Sequence, residues 1–244
     1  MLALLRKEIN IFLGSLIGYI VIAVFLLAIG LFLWVFEGSD FNIIESGYAN
    51  MDSLFVLAPW VFMFLVPAVT MRSFAEEKKS GTVELLLTQP ISDTEIIFTK
   101  FFAGLILVIF SLIPTLIYFI TVYYLASPTG NIDIGGIAGS YIGLVMLASG
   151  FVAIGIFASS LTDNQVVAFI IAMFLCFFWH MGFESLSTLG WFGGLDTVLL
   201  QLGISSHYSS MSRGVIDSRD VIYFLSLTGF FILLTRFVLE KRRW

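Results

Sequence analysis

The chain has 244 residues, 59% of them hydrophobic and only 12% charged, with a formal net charge of −5. A mean hydropathy of +1.02 leaves too little polar surface to cover a core, which excludes an ordinary soluble domain. The acidic balance, with a pI near 4.9, argues against a nucleic-acid partner.

Residues 1–12 open the chain as an amphipathic stretch. Leu2, Leu5, Ile9 and Phe12 share one helical stripe and Arg6, Lys7 and Asn10 lie elsewhere, the pattern of an interfacial elbow helix. Arg6 and Lys7 also have the look of a signal-peptide n-region. The apolar run behind them is too long for an h-region, and Phe36, Glu37 and Gly38 close it instead of a small-x-small site.

Six apolar runs follow, at about 13–36, 53–71, 98–125, 137–160, 166–183 and 221–239. Each is near the roughly 20 residues that a helix needs to cross about 30 Å of hydrocarbon. Unbroken apolar runs, rather than period-two alternation, select helices over a barrel. The expected fold is an all-α membrane protein, one transmembrane domain over 1–244 with six transmembrane helices.

Basic residues set the orientation. With both termini on one side, that side collects Arg6, Lys7, Arg72, Lys78, Lys79, Lys100, Arg236, Lys241, Arg242 and Arg243, against Arg213 and Arg219 on the other. The asymmetry predicts that both termini and the loop 72–97 are cytoplasmic. The opposite loops carry Glu37, Asp40, Glu45, Asp52, Asp133, Asp196, Asp217 and Asp220.

The 72–97 loop has the most ordered polarity in the chain. Ser73-x-x-Glu76 has capping-box spacing, Lys78 and Lys79 suit a last turn, and Gly81 suits a C′ stop. A second short helix is expected from Thr82 to Thr88, with Val83, Leu86 and Leu87 on its membrane face and Glu84 outward, ended by Pro90. Ser92-x-x-Glu95 is another capping box, and it starts the third run.

The second loop on that side, Ser159-Ser-Leu-Thr-Asp-Asn-Gln165, is made of good turn residues. Within the runs, Pro67 and Pro114 interrupt helices, while Gly135, Gly139 and Gly143 form a small-residue seam for close packing within the chain or between copies. The single Cys176 reads as a core residue. His180 and Glu184 share a helical face and are expected to hydrogen-bond, with His207 apart from them. The less apolar 186–220 segment should be an outer cap with half-helices, Trp191 lying in the interfacial belt.

The pattern Phe74-Ala-Glu-Glu-Lys-x-x-Gly81-Thr-x-Glu84-Leu-Leu-Leu-Thr-x-Pro90-Ile-Ser resembles the signature of ABC-2 type permeases, membrane subunits of ATP-binding-cassette transporters. More narrowly, Gly30-Leu-Phe-Leu-Trp-Val-Phe-Glu-Gly38, Ala58-Pro-Trp60, Val66-Pro-Ala-Val-Thr-Met-Arg-Ser73 and Ser210-Met-Ser-Arg-Gly-Val-Ile-Asp-Ser-Arg-Asp220 are similar to the gliding-motility-associated permeases of Bacteroidetes.

The resemblance implies six helices of the type V exporter-like architecture, an elbow helix, and a cytoplasmic coupling helix that docks on an ATPase. Carried onto this chain, the coupling residues are Phe74, Glu76, Glu77, Gly81, Thr82, Glu84, Leu85, Leu86 and Pro90, with a second contact at Thr162, Asp163 and Asn164. The implied complex sits in a bacterial inner membrane, with two copies of the ATPase and a second membrane subunit, identical or related. No Gly-x-x-x-x-Gly-Lys-Ser/Thr occurs in the chain, so ATP and Mg would belong to the ATPase. A reading of another class is a membrane scaffold, in which the ATPase does mechanical or assembly work without solute translocation.

Overall fold

Ser15 bends the chain where the amphipathic stretch meets the first apolar run. Its Oγ accepts the Gly18 N–H and donates to the Phe12 carbonyl, so helix α1 (Leu2–Leu13) ends and α2 (Leu16–Trp34) begins. The computed structural model describes residues 2–82, 92–189, 193 and 196–241. Within it, Leu2–Leu13 and Gly18–Trp34 meet at 66°. Leu5, Ile9 and Phe12, three members of the predicted stripe, are half-buried, and α1 lies along α6 rather than standing free.

The order continues with α3 (Ile43–Ser46), α4 (Asp52–Thr70), α5 (Arg72–Lys79), α6 (Asp93–Leu112), α7 (Leu116–Leu125), α8 (Ile134–Leu161) and α9 (Gln165–Phe177). Then come α10 (Phe183–Thr188), α11 (Asp196–Leu202), α12 (Ile204–Met211) and α13 (Ser218–Glu240). The described residues are helical throughout their regular structure and contain no strand. Five helical segments are long and apolar enough to cross a membrane, or six if α1 and α2 count as one bent span.

Helix α8 is the axis of the bundle. Leu144, Leu147, Ala148, Phe151, Val152, Ile154 and Ala158 are fully buried, and α4, α6, α9 and α13 all pack against it. Its small residues set the spacing: a Cβ on Gly155 would stand 2.0 Å from Thr70 Oγ1 of α4. The expected seam at Gly139 and Gly143 packs within the chain. A Cβ on Gly139 would lie 2.4 Å from the Gly214 carbonyl, and one on Gly143 would lie 2.6 Å from Met211 Cβ. Gly135 takes no part in this contact, its Cβ position meeting only Asp133.

Of the two prolines expected to interrupt helices, one does. Pro67 does not interrupt its helix, because α4 runs on to Thr70 and the Met71 N–H donates to the Pro67 carbonyl. Pro114 does mark a change, a 3-10 turn over Ile113–Thr115. Pro59, inside α4, has no N–H to give to the carbonyl of Phe55. That acceptor is taken instead by the Tyr208 hydroxyl of α12, at 2.8 Å, which fastens the cap segment to the bundle.

The far end of the bundle corrects a second expectation. A π turn over Phe178–Gly182 widens the helix after α9, so residues four apart no longer stack. His180 is buried against Trp60 and Phe151, its Nδ1 has no hydrogen-bond partner, and the expected bond to Glu184 does not form. His207 pairs instead with Asp220 at 2.7 Å, donates its Nε2–H to the Gln201 carbonyl at 2.9 Å, and stacks on Tyr223. Trp191 lies outside the described residues.

Candidate coupling site

Helix α5 is a polar continuation of α4, turned at Met71, with Arg-Ser-Phe-Ala-Glu-Glu-Lys-Lys as its sequence. The predicted capping box at Ser73 and Glu76 does not form, since the helix starts two residues earlier and no side chain of its own caps it. The free N–H groups of its first turn are satisfied from elsewhere. Those of Phe74 and Ala75 donate to Ser159 Oγ of α8, at 2.8 and 3.1 Å, and the same hydroxyl donates to the Met71 carbonyl at 3.2 Å. Lys78 Nζ donates to the Ser160 carbonyl. Ser159 and Ser160, expected in a loop, are the buried last turn of α8.

The exit from α5 follows the sequence closely. Ser80 is its C-cap, and Gly81 follows with φ +70°, a left-handed conformation that favours glycine. Ser80 Oγ donates to the Glu76 carbonyl, and Thr82 Oγ1 donates to the Glu77 carbonyl, which satisfies the last turn. Ser92 and Glu95 form the predicted capping box at the head of α6.

A buried cation joins three helices here. Lys100 of α6, 2% exposed, reaches Glu8 of α1 and Glu77 of α5, both at 2.9 Å. Its Nζ also stands 5.0 Å from the Phe74 ring centroid. Burial pushes the Glu77 carboxyl above its ordinary range, and the Lys100 charge pulls it back. A lysine this buried is stable only because it is paired.

The predicted coupling residues therefore divide. Phe74 is buried and Glu77 turns inward to Lys100, whereas Glu76, Gly81 and Thr82 are exposed. Glu84, Leu85, Leu86 and Pro90 lie outside the described residues, as does most of the expected second short helix. In the turn after α8, Asn164 caps α9 by accepting the Val166 N–H and Thr162 Oγ1 accepts the Asn164 N–H. Asp163 and Asn164 are exposed and Thr162 is half-buried. Because α5 packs on both α8 and α9, this turn lies beside the α5 surface.

Two residues of the site escaped sequence reasoning. Lys100 had a signal: it is the single charge between 96 and 125, three and four residues after the buried Ile97 and Ile96, so it belongs to the inward face. Ser159 had none, because nothing in a Ser-Ser pair at a helix end distinguishes a cap for a distant helix.

Helices of this length and apolarity define a multi-pass helical membrane protein. The family model described as ABC-2 family transporter protein matches residues 3–190, and the chain belongs to that family. No curated protein matches the chain.

Proposed function

We propose that this chain is the membrane-spanning permease subunit of an ATP-binding-cassette transporter, driven by a separate ATPase that docks on α5 and the turn after it. The observation that carries the reading is the attachment of α5. It continues α4 directly, is capped by Ser159 of α8, and is tied by Lys100 to α1 and α6. A push on α5 thus reaches α4 through the chain and α1, α6 and α8 through polar contacts. Glu76, Gly81 and Thr82, with Asp163 and Asn164 beside them, offer the exposed polar face on which a soluble partner would bear.

In this reading the basic end faces the cytoplasm of a bacterial inner membrane, ATP and Mg are held by two ATPase copies, and a second permease subunit completes the complex. The resemblance to gliding-motility permeases supports envelope transport in a gliding bacterium. The test is affinity purification of the tagged chain from its native membrane, scoring copurified ATPase by mass spectrometry and ATP hydrolysis. Glu76→Lys combined with Thr82→Arg should release the ATPase while the chain still inserts. Full retention of the ATPase would overturn the assignment.

A further inference from the structure

Beside the Lys100 cluster lies a cavity of about 190 Å³ between α1, α4, α5 and α6. Its lining combines apolar Ile11, Phe12, Val69 and Leu107 with polar Lys7, Arg72, Ser73 and Ser80. The carboxylates on this wall are mostly spoken for. Glu8 and Glu77 are both held by Lys100, while Glu76 is exposed.

Arg72 has no such partner among the described residues. Its Nε is shielded from solvent and makes no hydrogen bond, an unfavourable state for a guanidinium group with fixed donors. Lys7, one helix away, is exposed. Two cations beside an apolar wall, at the level where the amphipathic α1 meets the spans, match the two halves of a membrane lipid.

We infer that this cavity binds one phospholipid, its phosphate between Arg72 and Lys7 and its acyl chains passing out along Ile11. The volume admits a headgroup and not the tails. Ile11 is 52% exposed and extends the apolar wall outward, so the chains remain in the surrounding leaflet. Glu76 and Thr82 line both this cavity and the proposed docking face, but the test needs no ATPase.

The test is native mass spectrometry of the full chain in mild detergent, titrated separately with phosphatidylethanolamine, phosphatidylglycerol, diacylglycerol and inorganic phosphate. One phospholipid should bind about ten-fold more tightly than diacylglycerol, the size of one charge-assisted hydrogen bond. Arg72→Gln should abolish that preference, and Arg72→Lys should restore part of it. Lys7 is exposed, so Lys7→Gln folds whatever Arg72→Gln does, and it should weaken phospholipid binding about three-fold or more. Unchanged binding in folded Arg72→Gln and Lys7→Gln chains would overturn the proposal. Displacement of the bound lipid by inorganic phosphate would also overturn it, leaving a site for a soluble anion.

Discussion

Replacing Ser159 by Ala tests whether α5 is held from outside itself. The hydroxyl is fully buried and serves three backbone groups, the N–H of Phe74, the N–H of Ala75 and the carbonyl of Met71. Alanine preserves the helix and removes the acceptor, leaving two donors in a dry environment. Each such donor costs about 1–3 kcal/mol, so a loss of about 3 kcal/mol is expected after partial relaxation. Ser160→Ala is the control: its Oγ bonds only the Phe157 carbonyl of its own helix, and Lys78 uses the main-chain carbonyl of Ser160, which alanine retains. That variant should stay within about 0.5 kcal/mol of the parent. Hydrogen exchange read by mass spectrometry across 72–82 gives the local answer. Ser159→Ala should speed exchange at Phe74 and Ala75 on the order of 100-fold, with Ser160→Ala unchanged. Equal exchange in the two variants would refute the capping role, even if both melted early in detergent.

Three further outcomes are expected. Lys100→Met leaves Glu8 and Glu77 facing each other without their shared cation, and should lower stability by about 3–5 kcal/mol. Adding Glu8→Gln and Glu77→Gln should recover most of that loss in the same thermal unfolding assay. Tyr208→Phe should cost about 1–3 kcal/mol by stranding the Phe55 carbonyl, yet much less in a Pro59→Ala background, where residue 59 regains the N–H; a double-mutant cycle measures the coupling. Gly155→Ala forces a methyl against Thr70 and should cost about 1–3 kcal/mol, with Thr70→Ala recovering part of it.

The helices were legible because apolar runs of this length admit few alternatives, and the caps were legible where they were local. Ser92 with Glu95, and Gly81 after Lys79, act within a few residues of themselves, and the sequence pattern is enough to find them. Ser73 with Glu76 has the same spacing and forms no box. There α4 simply continues, and the capping hydroxyl arrives from a residue more than 80 positions away. The His180–Glu184 pairing fails for a related reason, since it assumes α-helical stacking through a segment that is a π turn. The division of the predicted coupling residues into inward Phe74 and Glu77 and outward Glu76 depends on what packs beneath the helix. Local periodicity carries no information about that.

The burial of α8 bears on how such a subunit can move at all. Its contacts with α4 at Gly155 and with the cap at Gly139 and Gly143 leave no clearance for a side chain. Helix α7 buries only Val122, and α9 buries only Ala168, Ala172 and Cys176, so the loosely seated parts are peripheral. Helix α5 packs directly on α8, the most buried helix of the bundle. If an ATPase bears on α5 as proposed, this packing favours displacement of the subunit as a body over rearrangement of α8 within it.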